Sequence, residues 1–532
     1  MARQDGTTRT AAGVVPHPAY QLWAETWQRL LDVYEGAGKF QEPSRPYLYA
    51  HPREWLDHSV KGADGKWVSN TAPVRPSPKL LARRKIARYE NIAATLVDQL
   101  AAALFRKSAT RTFQDPESIP KDHPLHEFWE NADGLGRDID CVMRDNWIGA
   151  AVFGHVVLYA DRMGENGATK ADQAPVIVRS YTPLDVVDWL TDDIGNLKAV
   201  RLLEAAEREG FETPAAAVVS QVRDVDDTSW SLTFVNKGLK PTKAQPAEGK
   251  ASGQHGFGTL PVRALYARRR ALTPTIGRSV LGDPALYIDL YNLTSEVREL
   301  LRNQTFAILN IPLGPEGSIE REMGLIGETT GTANVLFSSQ KSDYVSPEGT
   351  NVQMYHEHID RLVRTIYRLA VVTWESDSKD AESAESRKLK KADLHAMLSG
   401  YADECEQAEK ALAEFVYRAA YGEQWQAQWD KDQPSISYPD DFDVTGLLDE
   451  IEAATQAIAL ELGETATKEV KKRAIPKILP NLPQPTTLKI HQEIDAQEVK
   501  TQAQQDAELM QMRFGQQMPP TGGNGDGGAP PV

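Results

Sequence analysis

The clearest pattern in the chain is a pair of helical stripes between residues 351 and 422. In 351–374 the apolar residues follow one another at steps of four, three, four and three, which places them on one side of an amphipathic helix: Tyr355, Ile359, Leu362, Ile366 and Leu369. The polar stretch 375–386 has no apolar residue larger than alanine. A second stripe then continues over roughly eight turns to Gly422, a residue type that ends helices. One narrow stripe of that length favours packing against a parallel neighbour or another copy of the chain.

A third long helix is predicted at 283–310. Asp283 stands at its N-cap and Pro284 at its first helical position. Its apolar stripe has the same alternating steps: Leu286, Leu290, Leu293 and Val297. At 1.5 Å per residue this helix is a rod of roughly 40 Å, ended by Pro312. Apolar spacing also predicts helices at 21–34, 85–105, 128–151, 447–462 and 488–513.

Short runs of β-branched and aromatic residues predict strands in the first half of the chain and one strand later, at 435–444. The early strands are expected at 153–162, 176–180, 186–190, 199–203, 229–235 and 262–266. A Gly-, Lys- and Pro-rich loop is expected at 236–258. The pattern therefore predicts a helix-rich α+β fold whose strands are short and mostly antiparallel.

Composition narrows the class of protein. The chain has 532 residues and is 41% hydrophobic, enough for two to four domains with real cores. Its net charge is −16, whereas a protein that binds the phosphates of a nucleic acid usually has a net positive charge. The two cysteines, Cys141 and Cys405, lie in helical patterns and are expected to be small buried residues. No apolar run approaches the roughly 18 residues needed to span a bilayer, so we expect a soluble protein of a reducing compartment.

Motifs for catalysis are missing from the sequence. It contains no G-x-x-x-x-G-K-[ST] phosphate loop and no G-x-S-x-G nucleophile elbow. His356 and His358 are two residues apart on a helix, so they point to different sides and cannot hold one metal together. We therefore expect no cofactor and no enzymatic activity.

One segment fits a calcium-binding pattern. Asp441, Asp443 and Glu452 occupy positions 1, 3 and 12 of an EF-hand loop. A strand precedes the loop where an EF-hand has a helix, and an acidic helix start explains the same residues. The loop stays a weak candidate for a metal site.

The order of these elements resembles that of a tailed-bacteriophage portal protein, of the head-to-tail connector family, over roughly residues 80–470. The resemblance is carried by YENIAATLVDQLAAALF, by GAAVFGHVVLYADR with VRSYTPLDVVDWLTDDIGNLKAVRLL, by GDPALYIDLYNLTSEVRELLRNQTFAILNIPLG and by NVQMYHEHIDRLVRTIYRLAVVTW with the polar stretch and long helix after it. It implies an antiparallel-sheet wing, two stem helices, a clip, a tunnel loop, a long wing helix and a helical crown. The implied segments are 1–79 arm and loops, 80–275 wing, 276–310 first stem helix, 311–350 clip, 351–374 second stem helix, 375–386 tunnel loop, 387–446 long helix and return strand, 447–513 crown and 514–532 tail.

The resemblance also implies a function. The chain would form a ring of about twelve copies at one capsid vertex of the virion, assembled in the host cytoplasm. Double-stranded DNA would pass through its channel during packaging and ejection. Its partners would be the terminase large subunit, a head-tail adaptor and the major capsid and scaffolding proteins, with no membrane involved. Terminase would hydrolyse the ATP, which agrees with the missing nucleotide motif.

Two sets of residues follow as candidate sites. Cations in and after the tunnel loop would steer DNA through an otherwise acidic ring, although a solvated basic helix start explains them as well: Lys379, Arg387, Lys388, Lys390 and Lys391. The stem stripes would bury the two helices against each other within and between subunits: Leu286, Leu290, Leu293, Val297, Tyr355, Ile359, Leu362 and Ile366.

Two other interpretations remain open. A scaffold or tail adaptor would also be acidic and poor in motifs, but adaptors are usually shorter and scaffolds more uniformly helical. A hydrolase using Asp441, Asp443 and a distant histidine is the third.

Overall fold

A computed structural model describes the greater part of the chain before residue 440. The described residues are 14–50, 59–61, 67–69, 76, 78–120, 122–162, 175–205, 220–235, 252–273, 275–305, 308–312, 335–338, 343–345, 350–370, 384–439, 442, 468, 472, 489, 490, 493 and 494. The chain divides into two compact units, Met1–Phe442 and Asp443–Val532. The account below concerns the first unit.

The structure is a mixture of helices and antiparallel sheets, as the α+β prediction requires. The α-helices are α1 (Pro18–Glu35), α2 (Pro78–Ile86), α3 (Ile92–Leu104), α4 (Pro124–Glu130), α5 (Ile139–Phe153), α6 (Ala285–Thr305), α7 (Thr350–Leu369), α8 (Ala384–Tyr421) and α9 (Trp425–Asp432). Short 3-10 turns occur at Gly38–Phe40, Pro116–Ser118 and Gly422–Gln424.

The strands form small sheets. They are β1 (Ser59–Lys61), β2 (Trp67–Ser69), β3 (Thr110–Thr112), β4 (His155–Arg162), β5 (Val176–Tyr181), β6 (Val186–Thr191), β7 (Leu197–Ala205), β8 (Ser220–Val225), β9 (Ser229–Val235), β10 (Ser252–Gln254), β11 (Val262–Tyr266), β12 (Ile308–Pro312), β13 (Val335–Ser338), β14 (Asp343–Val345) and β15 (Ser435–Ser437). The sheet orders are β10-β9-β8-β7-β6, β11-β4-β5, β13-β12-β14, β15-β3 and β1-β2. Among the described strands, every pairing is antiparallel except the parallel pair β12–β13.

Strand β4 divides the core into two parts. Val156 and Leu158 face the main helical core, whereas Val157 and Tyr159 face a second cluster between the three-stranded and five-stranded sheets. Because successive side chains of a strand point to opposite sides, a strand covered on both sides must be apolar throughout. This explains why the sequence of β4 is a continuous apolar run.

The long helix α8 lies inside the chain's own core. Its stripe residues Leu398, Cys405 and Leu412 are all 2% exposed or less. They belong to the main core, and α8 contacts α3, α4, α5, α9 and β11. The partner of this stripe is thus the helical layer and one strand of the same chain, and the stripe does not need another copy to be buried.

Three predicted helices have different bounds. The helix predicted at 85–105 is two helices, α2 and α3, because Asn91 accepts a hydrogen bond from Ala94 N (3.0 Å) and starts a new helix. The helix predicted at 128–151 is α4 and α5, separated by a turn with Gly134 and Gly136 at positive φ. The first stem helix, predicted to reach 310, ends at Thr305, and Ile308–Pro312 is the central strand of a sheet. In each case a helix cap, a turn or a strand pairing interrupts a stretch that apolar spacing alone predicts as one continuous helix.

Other differences concern strands and one cysteine. The sequence pattern missed β1, β2, β3, β8 and β10, which are short or rich in polar residues. Cys405 is buried as expected, but Cys141 is exposed, which contradicts its prediction. Cys141 follows the N-cap Asp138 in the first turn of α5, on the solvent side of that helix.

Two glycines allow a close crossing of backbones beneath α1. Gly154 ends α5 with φ +100°, and a Cβ there would lie 2.5 Å from the carbonyl carbon of Gly277. His155, next along the chain, is buried and accepts a hydrogen bond from Gly277 N (3.3 Å). Burial lowers the pKa of His155 to about 4, and the positive charge of Arg270 adds to this effect.

Gly154→Ala is expected to lower the free energy of unfolding by about 2–5 kcal/mol, because left-handed strain and a backbone clash add together. Urea denaturation measures this loss. The matched control is Gly195→Ala, which has a similar φ of +96° but nothing within 4 Å of the new Cβ. The control should lose only about 1–2 kcal/mol, the strain alone. Equal losses in the two variants would contradict the clash.

Candidate functional site

The candidate site is the pair of helices α6 and α7 together with the sheet β12–β14 that lies between them in the chain. The two helices contact each other. Tyr355 on α7 donates a hydrogen bond to Glu296 on α6 (3.0 Å), and Tyr367 on α7 interacts electrostatically with Tyr287 on α6. Later positions on α7 therefore meet earlier positions on α6, so the helices run antiparallel. We call them the helix pair.

The predicted stripe residues are buried or half-buried within the single chain. Leu290, Val297 and Ile366 are buried, at 2%, 5% and 2% exposed. The others are half-buried: Leu286, Leu293, Tyr355, Ile359 and Leu362. The structure also buries Val363 and Tyr367 on α7 and Tyr287 on α6, which the stripe prediction did not include. A stripe one residue wider on α7 would have found Val363. Whether the same stripes also contact neighbouring subunits stays a prediction.

The helix pair carries a small group of charged and titratable residues. Asp289 is exposed on α6, with Asp283 at the helix start and His358 on α7 nearby. Partial burial and the charge of Asp283 raise the pKa of Asp289, while His358 opposes them. His358 on α7 is therefore near enough to Asp289 on α6 to influence its charge.

The inner side of α6 is anchored to the segment before it. Asn292 accepts a hydrogen bond from Tyr49 N (2.7 Å) and donates one to the carbonyl of Tyr47 (2.9 Å). The ring of Tyr291 packs edge-on against Phe40, at 5.2 Å between centroids. These contacts hold the first half of the helix pair against the α+β core.

The outer side of α7 is open. Met354 is 65% exposed, and Leu369, which the sequence placed in the apolar stripe, is 47% exposed and corrects that prediction. Between them Arg361, Arg364 and Arg368 are exposed at steps of three and four, which places them on one side of the helix. In one isolated chain this side faces solvent and is free to contact another molecule.

The arginine triplet at 268–270 connects the sheets to α8 and α1. Arg269 forms an ion pair with Glu404 on α8 (2.5 Å), and Arg268 donates a hydrogen bond to the hydroxyl of Tyr401 (3.1 Å). Arg270 lies over the ring of Trp23 on α1, 4.4 Å from its centroid. The sequence alone left the direction of these arginines open, and two of the three turn toward α8.

A second ionic cluster lies inside the core. Arg111 on β3 bonds to both carboxylate oxygens of Glu409 on α8, at 2.5 and 2.9 Å, and to Asp140 on α5 at 2.6 Å. Tyr438 donates to the same Glu409 carboxylate (2.7 Å). The Glu409 side chain is 0% exposed. Sequence reasoning missed this cluster, because its members lie far apart in the chain and no local pattern joins them.

The remaining candidate residues lie outside what the structure describes. These are Lys379 and the possible calcium ligands Asp441, Asp443 and Glu452. Arg387, Lys388, Lys390 and Lys391 fall on the first turns of α8, but their side chains are not described. Within the described part of the chain, no group of three or more His, Cys, Asp or Glu residues could hold a metal ion. The helices of that part include none that is both long and apolar enough to cross a membrane.

Comparisons with known proteins give little similarity. No protein-family model and no curated protein matches the chain. Among chains of solved structures, one from a structure described as the neck of an empty GTA particle, computed with C6 symmetry, matches with a TM-score of 0.37 and 12% identity, covering 70% of this chain and 87% of that chain. A TM-score this low does not by itself assign a shared fold.

Proposed function

We propose that this chain is a portal protein of a tailed bacteriophage. In this role it forms a ring-shaped channel at one vertex of the capsid, through which DNA is packaged and ejected and to which head-tail connector proteins attach. The observation that carries the proposal is the order of elements along the chain. An α+β unit comes first, followed by α6, the small sheet β12–β14 and α7, and then by the 38-residue helix α8. This is the order that the resemblance to portal proteins implies.

The helix pair suits the part of a ring where subunits stand side by side. One side of the pair is buried against the chain's own core, whereas the outer side of α7 carries Met354, Leu369 and three arginines in solvent. In the proposed ring the outer side of α7 contacts the neighbouring subunit or lines the channel.

The charge balance suits a conduit for DNA. A wall with many cations would release counterions and hold the duplex, because each neutralised phosphate strengthens binding. A subunit with a net charge of −16 instead repels the phosphate backbone and lets it slide. The terminase large subunit supplies ATP hydrolysis in this proposal, while the adaptor, major capsid and scaffolding proteins are the other partners.

Ring formation tests the proposal. The purified chain, and the chain co-expressed with capsid and scaffolding proteins, are imaged by negative-stain electron microscopy, and their masses in solution are measured. Rings of about twelve subunits with a central hole, present at one vertex of assembled heads, support the portal. A monomer of 58.9 kDa under both conditions, absent from the heads, overturns it.

A further inference from the structure

The outer side of α7 carries a row of three arginines. Arg361, Arg364 and Arg368 are all exposed, whereas Val363 and Ile366 on the inner side of the same helix are buried. None of the three arginines forms an ion pair with a carboxylate of the described residues. We call these three residues the arginine row. Their guanidinium groups are therefore available to another molecule.

Two carboxylates on α7 leave most of this positive charge in place. Glu357 and Asp360 precede Arg361 and Arg364 by four residues, the spacing at which ion pairs form on a helix. Neither pair forms among the described residues, and Glu357 instead accepts a hydrogen bond from Gln353 (3.1 Å). After Asp360, the rest of α7 has three positive charges and no negative one. The helix thus carries a local basic surface in a chain whose net charge is −16.

The spacing of the arginine row fits the phosphates of duplex DNA. Arg368 follows Arg361 by seven residues, a rise of about 10 Å along the helix axis. Successive phosphates of one DNA strand advance by about 3.4 Å along the duplex, so the row spans about three of them. A guanidinium group can also donate two parallel hydrogen bonds to one phosphate. The row therefore has the length and the chemistry to follow one strand where helix and duplex run side by side.

We infer that the arginine row lines the channel of the ring and contacts the phosphate backbone of the DNA that passes through it. This inference rests on the proposed function and adds to it the residues that touch the DNA. It also assigns the outer side of α7 to the channel, and the contacts between subunits to other surfaces of the chain.

A neighbouring helix pair does not offer a matching acidic row. Among the described residues of α6, Asp289 is the one exposed carboxylate, since Glu296 and Glu299 are half-buried. Glu296 also accepts the hydrogen bond of Tyr355 (3.0 Å). The phosphates of a DNA duplex, in contrast, form a continuous line with one negative charge per about 1.7 Å. Charge complementarity therefore favours DNA as the partner of three arginines in line.

Such a contact can guide DNA without holding it. A row about 10 Å long lies level with about six phosphates, counting both strands. A ring of about twelve copies would present three arginines from each copy at that level, more than those phosphates can engage. A phosphate that leaves one row then meets the next, while the acidic remainder of each subunit repels the duplex.

Threading of linear DNA tests the contact. Wild-type rings, from whichever preparation described above yields them, are mixed with a linear duplex or with a relaxed closed circle of the same sequence, since only a free end can enter a closed ring. Affinity is measured over a range of salt concentrations. The combined variant Arg361→Gln, Arg364→Gln and Arg368→Gln should bind linear DNA about tenfold or more weakly. The slope of log affinity against log salt should become shallower by about one or more, whereas the affinity for the circle should not change.

Two variants control for charge and for position. The combined variant with lysine at the same three positions keeps the positive charges and should retain most of the salt dependence. Arg144→Gln removes an exposed arginine of α5 that forms no ion pair among the described residues, and it should change neither affinity nor slope. Sedimentation velocity shows for each variant whether the ring is intact.

The outcomes separate this contact from the portal proposal. If the glutamine variant forms normal rings and binds linear DNA as the wild type does, the inference is wrong and the portal proposal stands. If that variant loses the ring, the arginine row contacts the neighbouring subunit, which also refutes the inference. Equal weakening for linear and circular DNA would place the contact outside the channel and refute it as well. If the wild-type chain forms no ring in either of the conditions described above, both proposals fail together.

Discussion

Arg111→Met should lower the free energy of unfolding by about 3–5 kcal/mol, the usual loss when one partner of a buried ion pair is removed. Glu409 has 0% of its side chain exposed, and Arg111 supplies two of its hydrogen bonds. Methionine keeps much of the volume of the arginine stem but leaves a buried carboxylate without its cation. Tyr438 still donates one hydrogen bond to Glu409, but a single hydrogen bond does not compensate for the loss of the neighbouring cation. Urea denaturation followed by tryptophan fluorescence measures the loss.

A double variant separates the ion pair from packing. Arg111→Met with Glu409→Met removes both charges, so it should be more stable than Arg111→Met alone. The matched control is Arg201→Met on β7, whose ion pair with Asp224 (2.7 Å) is 27% and 38% exposed. An exposed pair of this kind contributes at most about 1 kcal/mol. If Arg111→Met costs no more than Arg201→Met, the buried cluster does not stabilise the fold.

Leu362→Asp should abolish ring assembly while leaving the α+β core folded. Leu362 is half-buried on α7 and packs against the main core beside α6. The substitution removes apolar contact and places a carboxylate in the seam, weakening the hold of α7 on α6 by roughly 2–4 kcal/mol. The remaining core is spared, because β4, α5 and α8 make their contacts elsewhere. Sedimentation velocity measures assembly, and near-UV circular dichroism and thermal melting measure folding.

The control for this variant lies on the same helix. Gln353→Asp introduces the same charge at an exposed position in the first turn of α7, where a negative charge agrees with the helix dipole. The Gln353→Asp variant should leave the core unchanged. Soluble rings of normal size from Leu362→Asp would refute the idea that this seam is needed for assembly. Loss of the whole fold would show that α7 and the α+β core unfold together.

Much of the helix pair could be predicted from the sequence. The alternating steps of Leu290 and Val297, and of Ile359 and Ile366, mark the buried side of each helix, and α6 and α7 occupy those stretches. Asp283 caps α6 as its residue type suggested. Apolar spacing is a local signal, and it is strong where a helix has one buried side. The polar bond from Tyr355 to Glu296 joins residues 59 positions apart, so no local signal could reveal it.

The long helix α8 shows what apolar spacing cannot predict. Its stripe correctly indicated a buried side, but spacing does not say what covers that side. The stripe favoured a parallel neighbour or another copy of the chain, and the structure places Leu398, Cys405 and Leu412 within the core of the same chain. Burial by a neighbouring copy and burial by the chain's own sheets require the same pattern of apolar residues.

By itself, therefore, the sequence determined the mixed fold class, most helices and central strands, the acidic charge and the order of elements that resembles a portal. Each of these depends on neighbours within a few positions or on a sum over residues. Tertiary structure alone decided which element covers α8, where the arginines at 268–270 point and how Arg111 meets Glu409 across 298 positions. These features depend on how distant segments approach in space, and the free energy of each contact exists only once the chain has brought both partners together.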